Sequence, residues 1–245
     1  INNSGNDGLS AGNGRWLVYS SNPDDTLENG LIYNKIYNKT YLLNPPASIP
    51  AGNYILYSIA PVLTITANDA SKIYGEINPA FSYVLSGSPI DGDTLITAKS
   101  GNPSFDTEAS QSSNAGIYSI TPALGSLSSS LGYQFEFVDG SLSVNKAPLS
   151  VTANDASKIY GEINPAFSAS FSGFVLDQNE SDLTGNLEFN TPASASSNVG
   201  IYSVTPLGLS SSNYDITFND GYLSVFIPRP SSNPTATNMS RDLAY

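Results

Sequence analysis

The sequence predicts an all-β fold in which a small β-rich adaptor precedes two tandem two-sheet sandwiches. The first observation is that the segment at residues 66–82 recurs unchanged at residues 152–168. The second is an alternation of apolar and polar residues with the period of a β-strand, and the third is a turn signal about every 8–12 residues. A chain that copies one folding unit usually builds length or valency, which indicates a structural or binding protein.

The copies extend well beyond the identical segment. Residues 112–122 return as 196–206, and residues 133–144 return as 214–225. The offset between the copies shrinks from 86 residues to 84 and then to 81. The residues missing from the second copy fall in Gly- and Ser-rich stretches such as 124–132, which predicts loops, because a strand must keep its register.

These limits predict a first repeat at residues 62–146 and a second repeat at residues 147–226. Each unit of about 80 residues has several short strands, which is typical of a small sandwich. The junction is residues 145–148, where Pro148 should stiffen the entry into the next strand. We expect the repeats to form a rod with a limited hinge.

Strands can be located in both copies from the alternation. Residues 63–67 and their copy 149–153 place apolar side chains on one face and hydroxyls on the other, as in a half-buried antiparallel strand. Later in each copy, two alternating runs are separated by an Asp-Gly pair, at Asp139-Gly140 and at Asp220-Gly221. Because Gly accepts the positive φ of a tight turn, each pair predicts a β-hairpin.

Residues 16–61 form the predicted adaptor, with short strands at 16–19, 37–43 and 53–59. Their aromatic content needs a partner surface, most simply the open end of the first repeat, with Trp16 as an anchor. The chain begins at Ile1 without Met and shows no signal-peptide pattern, so we expect it to be a piece of a longer protein.

Composition excludes several classes of function. The chain has no Cys and no His, so it lacks disulfides, thiolate metal sites, an imidazole base and the usual zinc ligands. Its net charge is −12 with only 12% charged residues, which suits a secreted surface and disfavours nucleic acid or anionic lipid as a partner. No apolar run approaches the roughly 20 residues of a membrane span. We expect no enzymatic activity, no catalytic residue and no cofactor.

Three spaced motifs, each present twice and in the same order, resemble the MBG class of bacterial immunoglobulin-like repeats. They are residues 72–81, 113–118 and 139–144 with their second copies, and the resemblance covers residues 62–226. It implies two tandem immunoglobulin-like β-sandwich repeats. The preceding residues 14–23 look like the segment that joins a long β-helix to such repeats in filamentous-haemagglutinin-like exoproteins, although the β-helix itself is missing.

The resemblance implies the function, the location and the partners. It points to a non-enzymatic stalk or spacer of a two-partner-secreted adhesin that projects or anchors an adhesive β-helix in cell adhesion or biofilm attachment. Such proteins are secreted to the bacterial cell surface, outside the outer membrane. Implied partners are the rest of the adhesin, the outer-membrane secretion and anchoring machinery, and a host glycan or matrix protein. Residues 1–15 are then flexible or a β-helix remnant, and residues 227–245 are a Pro/Ser-rich linker.

Two other functions stay open. In the first, the chain is a carbohydrate- or protein-binding module whose sandwich loops hold a ligand, and the divergent stretches 88–110 and 174–196 are where such a site would lie. In the second, it is a polysaccharide-active enzyme, a function supported only by carboxylates scattered along the sequence.

Asp91 and Asp93 are weak calcium candidates, because hard oxygen ligands cluster in acidic turns. The aligned residues of the second copy are Asp177 and Asn179, so the acidic pair is not repeated. A solvated turn is the simpler interpretation. We therefore assign no metal site.

Lys72 and its copy Lys158 lie near an acid and an Asn, a set that can form an internal isopeptide bond when burial makes the lysine nucleophilic. The simpler interpretation is a lysine whose stem packs on the sheet while its ammonium reaches water. Tyr74 and its copy Tyr160 could stack on sugars, but a structural corner with the hydroxyl bonded to backbone is favoured.

Glycosylation sequons occur at four asparagines, all in predicted loops or flanks where a glycan would fit. They are Asn2, Asn38, Asn179 and Asn238, of which Asn38 and Asn179 fall within the folded region.

Overall fold

The computed structural model describes residues 14–26 and 31–228, in which the predicted all-β fold is confirmed. The chain divides into two compact units between Asn145 and Lys146. The first unit holds the adaptor and the first repeat, and the second unit holds the second repeat. Apart from strands, the described residues form only short 3-10 turns, at Pro23–Asp25, Pro46–Ser48 and Glu180–Asp182. None of their helices has the length and apolar character needed to cross a bilayer.

The adaptor is a three-stranded sheet in which all strands run parallel. Its strands are β1 (Leu17–Ser20), β2 (Asn34–Ile36) and β3 (Tyr54–Tyr57), and β3 lies in the centre. The strands predicted at 16–19 and 53–59 are confirmed, but the one predicted at 37–43 is wrong. Asn38 there has a φ of +53°, and the Asn44 N–H donates to the carbonyl of Thr40, so this stretch turns.

The first repeat is a sandwich of a three-stranded and a four-stranded sheet. Its strands are β4 (Val62–Ala67), β5 (Ala70–Ile73), β6 (Tyr83–Gly87), β7 (Ser104–Asp106), β8 (Gly116–Ala123), β9 (Gln134–Val138) and β10 (Gly140–Asn145). The sheets have the orders β6-β4-β9 and β5-β10-β8-β7. The pairs β4/β9 and β5/β10 are parallel and the others are antiparallel, so each sheet is mixed.

The second repeat has the same topology. Its strands are β11 (Ala147–Ala153), β12 (Ala156–Ile159), β13 (Ala169–Ser172), β14 (Thr184–Asn190), β15 (Gly200–Ser210), β16 (Tyr214–Asn219) and β17 (Gly221–Phe226). The sheet orders are β13-β11-β16 and β12-β17-β15-β14, strand for strand those of the first repeat. The sequence copies therefore build the same sandwich twice.

Each repeat encloses an apolar core of its own between its two sheets. In the first repeat the buried residues of that core are Ala67, Ala109, Ile120 and Leu142. In the second repeat they are Ala153, Ala193, Val204, Leu223 and Val225. Except for Ala109 and Ala193, which lie in the loops before β8 and β15, these residues are inward positions of alternating strands. Burial of each large aliphatic side chain contributes about 1.5–3 kcal/mol.

The hairpins predicted at the Asp-Gly pairs are wrong. β9 and β10 are consecutive but lie in different sheets, and so do β16 and β17. Neither Gly140 nor Gly221 has a positive φ. They are needed for close packing instead, because a Cβ would lie 2.6 Å from the Ala67 carbonyl oxygen at Gly140 and 2.3 Å from that of Ala153 at Gly221. The Asp-Gly pairs mark the crossing from one sheet to the other.

The junction between the repeats is shorter than predicted. β10 ends at Asn145 and β11 begins at Ala147, so Lys146 alone lies outside the strands. Pro148 belongs to β11, where it is opposite Asp215 of β16 and precedes the part of β11 that pairs with β13. A proline at the start of a strand removes no ladder hydrogen bond from the sheet interior.

The adaptor packs on the first repeat through a shared aromatic core, which confirms the expected partner surface. Tyr37, Ile55 and Tyr57 of the adaptor are buried with residues of the repeat, namely Leu63, Ala98 and Tyr133. Trp16, the expected anchor, is only partly buried at the margin of this core, whereas Tyr37 is fully buried within it. The predicted segments at residues 1–15 and 227–245 lie almost entirely outside the described residues.

Candidate functional site

The Tyr-Gly-Glu triplet in each copy forms a tight turn at the end of a strand. Gly75 has a φ of +90° and Gly161 a φ of +89°, which explains the glycine. The Glu76 N–H donates to the Ile73 carbonyl, and the Ile73 N–H donates to the Glu76 carboxylate at 2.9 Å. The second copy repeats both bonds, between its equivalent residues. The glutamate therefore closes a turn rather than serving as a free acid.

The lysine before each triplet is buried, so the predicted ammonium in water is wrong. Lys72 is 5% exposed and Lys158 is 4% exposed. The Lys72 Nζ donates to the carbonyls of Glu76 at 3.0 Å and Ser110 at 2.5 Å, and Lys158 makes the equivalent pair of bonds. Burial lowers the pKa of Lys72, and the charge of Glu76 opposes that shift.

An asparagine completes this contact in both copies. The Nδ2 of Asn78 donates to the carbonyl of Ala109 at 2.6 Å, and that of Asn164 donates to the carbonyl of Ala193 at 2.8 Å. Lysine and asparagine thus bind consecutive carbonyls of the long loop before β8 or β15. We call this set of contacts the lysine clamp. Its groups donate to backbone, which is a structural role.

The tyrosine of the triplet has different surroundings in the two copies. Tyr74 is 3% exposed, whereas Tyr160 is 49% exposed, so only Tyr160 presents a ring on which a sugar could stack. The tyrosines whose hydroxyls donate to a backbone carbonyl four residues earlier are Tyr118, to Asn114, and Tyr202, to Asn198. These two tyrosines give each copy a corner of the kind that the sequence interpretation placed at Tyr74 and Tyr160.

Asp91 and Asp93 form a charged site with the adaptor. The Nζ of Lys35, at the middle of β2, lies 2.9 Å from a carboxylate oxygen of Asp91 and 3.0 Å from one of Asp93. Lys35 also donates to the Asp91 carbonyl. Burial lowers the pKa of Lys35, but the hydrogen bonds to both aspartates and their charges outweigh it, so the pKa is raised overall.

Two tyrosines complete the environment of Asp93. The hydroxyl of Tyr37 donates to Asp93 Oδ2 at 3.0 Å, and that of Tyr133 donates to the same oxygen at 2.9 Å. Burial is the largest cause of a raised pKa at both tyrosines, and the Asp93 carboxylate adds to it; the pKa of Tyr133 rises to about 12. We call Lys35, Tyr37, Asp91, Asp93 and Tyr133 the aspartate cluster.

The second repeat has a corresponding loop, which corrects the sequence alignment. The backbone N–H of Ile90 donates to the Tyr133 hydroxyl at 3.0 Å, and that of Val175 donates to the Tyr214 hydroxyl at 3.1 Å. Ile90 therefore matches Val175, and the residues that match Asp91 and Asp93 are Leu176 and Gln178. The predicted matches, Asp177 and Asn179, are wrong by one position, because residues 88–89 of the first repeat correspond to Phe174 alone.

The aspartate cluster bears on the calcium prediction. In residues 14–26 and 31–228, no three His, Cys, Asp or Glu side chains lie together as a metal ion would require. Asp91 and Asp93 are paired with the Lys35 ammonium, which a calcium ion would have to displace. The sequence interpretation missed Lys35 and Tyr37, although the loss of the acidic pair from the second copy was a signal that the pair serves something outside the repeat.

Two of the four sequon asparagines lie among the described residues, and both are exposed. Asn38 follows β2 and holds its backbone through a hydrogen bond from its N–H to the Ile59 carbonyl. The Asn179 side-chain oxygen accepts from the Ser181 N–H and hydroxyl and so caps a 3-10 turn. Asn2 and Asn238 lie outside the described part.

Comparison with known proteins identifies the family of the repeats. No curated protein matches the chain. The family model described as MBG domain (YGX type) matches twice, at residues 63–143 and 149–224. The two matches cover more than half of the chain and contain both glycine turns and both lysine clamps. The chain belongs to the family of MBG domains of the YGX type, with two copies in tandem.

Proposed function

We propose that this chain is a non-enzymatic spacer segment of a bacterial cell-surface adhesin. The MBG domain suggests a cell-surface repeat module. The observation that carries the proposal is that both copies enclose separate cores and rebuild the same lysine clamp. A unit that is copied with its internal contacts intact adds length without adding a new site.

The contacts between the adaptor and the first repeat support a role for this chain as the base that holds a further segment of a longer protein. Its sheet is fixed to the first repeat by the aspartate cluster and the aromatic core, so a segment attached to the adaptor would be held by the repeats. We propose that this segment is the adhesive β-helix of a filamentous-haemagglutinin-like protein, exported by two-partner secretion to the outer-membrane exterior. Its partners are then the rest of the adhesin and the secretion and anchoring machinery.

One observation favours the alternative of a binding module. A groove beside β8 in the first repeat is lined by Asp106, Glu108, Ile117 and Thr121 among others, and Asp106 and Glu108 fall in the stretch 88–110. The second repeat has Asn190 and Pro192 in place of the two acids. A ligand held by the sandwich loops of the first repeat would lie in this groove.

Scattering and binding measurements test the proposal. Deleting residues 147–226 should shorten the maximum dimension in small-angle X-ray scattering by roughly 30–40 Å, one sandwich with its loops. The whole chain should show no saturable binding on arrays of glycans and matrix proteins. An unchanged maximum dimension would contradict the spacer function. Tight binding that Asp106→Asn and Glu108→Gln weaken would establish the alternative instead.

A further inference from the structure

The two repeats cover equivalent tyrosines with aromatic rings from different sources. Tyr133 of the first repeat meets the Tyr37 ring of the adaptor edge-on, with the centroids 5.3 Å apart. Tyr214 of the second repeat meets Phe174 of its own loop edge-on, at 5.5 Å. Edge-to-face pairs at such distances are favourable contacts beyond the area that they bury. The first repeat has Ser88-Pro89 where the second has Phe174, so its own loop supplies no ring.

The backbone beside the tyrosine also differs between the repeats. Gly132, just before Tyr133, has a φ of +89°, and a Cβ there would lie 2.3 Å from the Tyr37 carbonyl oxygen. The Tyr37 N–H donates to the carbonyl of Leu131 at 2.7 Å, so the adaptor backbone lies directly against this glycine. In the second repeat, the residue before Tyr214 is Asn213. Unlike Gly132, Asn213 does not have a positive φ, so the backbone of the second repeat takes a different path at this point.

The loop after β6 and the loop after β13 also differ in charge. Asp91 and Asp93 bind the Lys35 ammonium, whereas their counterparts are Leu176 and Gln178. Gln178 Oε1 accepts a hydrogen bond from the Tyr214 hydroxyl at 2.6 Å, so that hydroxyl is satisfied within the second repeat. A lysine placed against the second repeat's loop would meet Leu176 and Gln178 where Lys35 meets two carboxylates, since the one acid between them, Asp177, takes the position of Gly92. A partly buried ammonium that loses its carboxylate partners is costly.

We propose that residues 88–93 and 131–133 of the first repeat form an acceptor site for a Lys-x-Tyr segment, which the adaptor fills with Lys35–Tyr37. The second repeat is self-closed, because Phe174 contacts the Tyr214 ring as Tyr37 contacts that of Tyr133, and Gln178 accepts from the Tyr214 hydroxyl as Asp93 does from that of Tyr133. The acceptor site is therefore a specificity element that pairs the adaptor with one repeat of the two. This inference concerns pairing within the chain, so it does not depend on whether the chain is a spacer or a binder.

A pair of glycine variants in the whole chain tests the proposal. Gly132→Asn introduces the second repeat's residue, and asparagine tolerates a positive φ, so the main effect should be collision with Tyr37. Gly161→Asn in the second repeat is the matched control, because Gly161 has the same φ of +89° as Gly132 but nothing within reach of an added Cβ, and it lies outside the proposed site. Trp16, the only tryptophan of the chain, reports adaptor docking by fluorescence, and amide hydrogen exchange of residues 33–39 and 54–58 reports it directly.

We expect Gly132→Asn to shift Trp16 emission to the red and to speed exchange in the adaptor about tenfold or more, with β8 and β10 still protected. Gly161→Asn should leave the adaptor as protected as it is in the unaltered chain. Equal effects of the two variants, or an adaptor that stays protected in Gly132→Asn, would overturn the proposal.

A loop graft covers the case in which Gly132→Asn unfolds the whole first unit. Residues 88–93 are replaced by the sequence of residues 174–178, which supplies a phenylalanine and a glutamine for Tyr133. Combined with Gly132→Asn, the graft should restore protection of β8 and β10 while the adaptor still exchanges freely. If the first repeat remains unprotected in the combined variant, or if the adaptor docks again, residues 88–93 and Gly132 do not encode the acceptor site.

Discussion

The two repeats share the same lysine clamp, whereas the loop that the adaptor contacts in the first repeat differs from its copy in the second. In the lysine clamp, the Nζ-to-carbonyl distances are 3.0 and 2.5 Å in the first repeat and 3.1 and 2.5 Å in the second. In the loop after β6 or β13, the same positions hold Asp91 and Asp93 in one repeat and Leu176 and Gln178 in the other. The lysine clamp, which both repeats share, therefore stabilises the sandwich fold. The loop after β6 or β13, which differs, determines which segment packs against each repeat.

The largest expected effect concerns the glycines that both repeats use to pass between sheets. Gly140→Ala and Gly221→Ala should each destabilise their own unit by about 3 kcal/mol or more, since the new Cβ would collide with a backbone carbonyl. Gly161→Ala is the control; it has a positive φ but no atom nearby, and should cost about 1–2 kcal/mol. Hydrogen exchange resolved by unit measures all three. If Gly140→Ala left the first unit stable while Gly221→Ala destabilised the second, the two glycines would not be equivalent.

The lysine clamp should contribute equally to both units. Lys72→Met and Lys158→Met retain the apolar stem but leave two backbone carbonyls without their donor, so each should cost about 1–3 kcal/mol. The exposed Lys146→Met should change stability by less than about 0.5 kcal/mol. Denaturant titration followed by hydrogen exchange gives the values, and a stabilised Lys→Met variant would show that the buried charge costs more than its bonds return. Intact mass should equal the sequence mass, without loss of ammonia.

Alkaline pH should destabilise the first unit through the aspartate cluster. Burial and Asp93 raise the pKa of Tyr133 to about 12, above the ordinary value of about 10 for the unfolded chain. The neutral hydroxyl therefore stabilises the first unit fully below pH 10, and this contribution is lost as the pH rises toward 12. Ultraviolet titration of tyrosinate should show a late step that Tyr133→Phe removes. If Tyr133→Phe removes absorbance near pH 10 instead, the hydroxyl is not held by Asp93.

The smallest expected effect is that of calcium. The melting temperature should be nearly the same with calcium and with a chelator, because the one acidic pair considered as a calcium site binds Lys35, and a ligand stabilises only through preferential binding to the folded state. Lys35→Met provides the sharper comparison, since it frees the two carboxylates. A shift of several degrees in the unaltered chain would show that calcium displaces the lysine.

Period-2 alternation located β4, β9 and β10 of the first repeat and their copies β11, β16 and β17, because a half-buried strand alternates apolar and polar side chains, but it did not locate the longer β8 and β15. The pairing of those strands was less accessible. An Asp-Gly pair between two alternating runs is compatible with a hairpin and with a crossing between sheets. The φ of Gly140 and its close approach to Ala67, which distinguish the two, are not visible in the sequence. The family could be predicted from the resemblance of the motifs, because three spaced segments matched it in the same order.

The aspartate cluster could not be predicted from local pattern, because its residues come from the adaptor, the loop after β6 and the start of β9. The comparison of copies did contain the signal. Gly132 and Asp93 differ from Asn213 and Gln178 although the tyrosines that they accompany, Tyr133 and Tyr214, are retained. When the residues around a retained tyrosine differ between the copies, the tyrosine is expected to have a different neighbour in each copy.

The order of the adaptor strands has a consequence for the route by which the chain folds. β3 lies between β1 and β2, so neither outer strand has its sheet partner until residue 57 is available. The ring contact between Tyr37 and Tyr133 cannot form until Tyr133 is available, and most of the first repeat lies between the two residues in the sequence. Contacts so distant in sequence must overcome a large loop-closure entropy before they form. A chain that emerges with its N-terminus first would therefore complete the adaptor core only after most of the first repeat has been made.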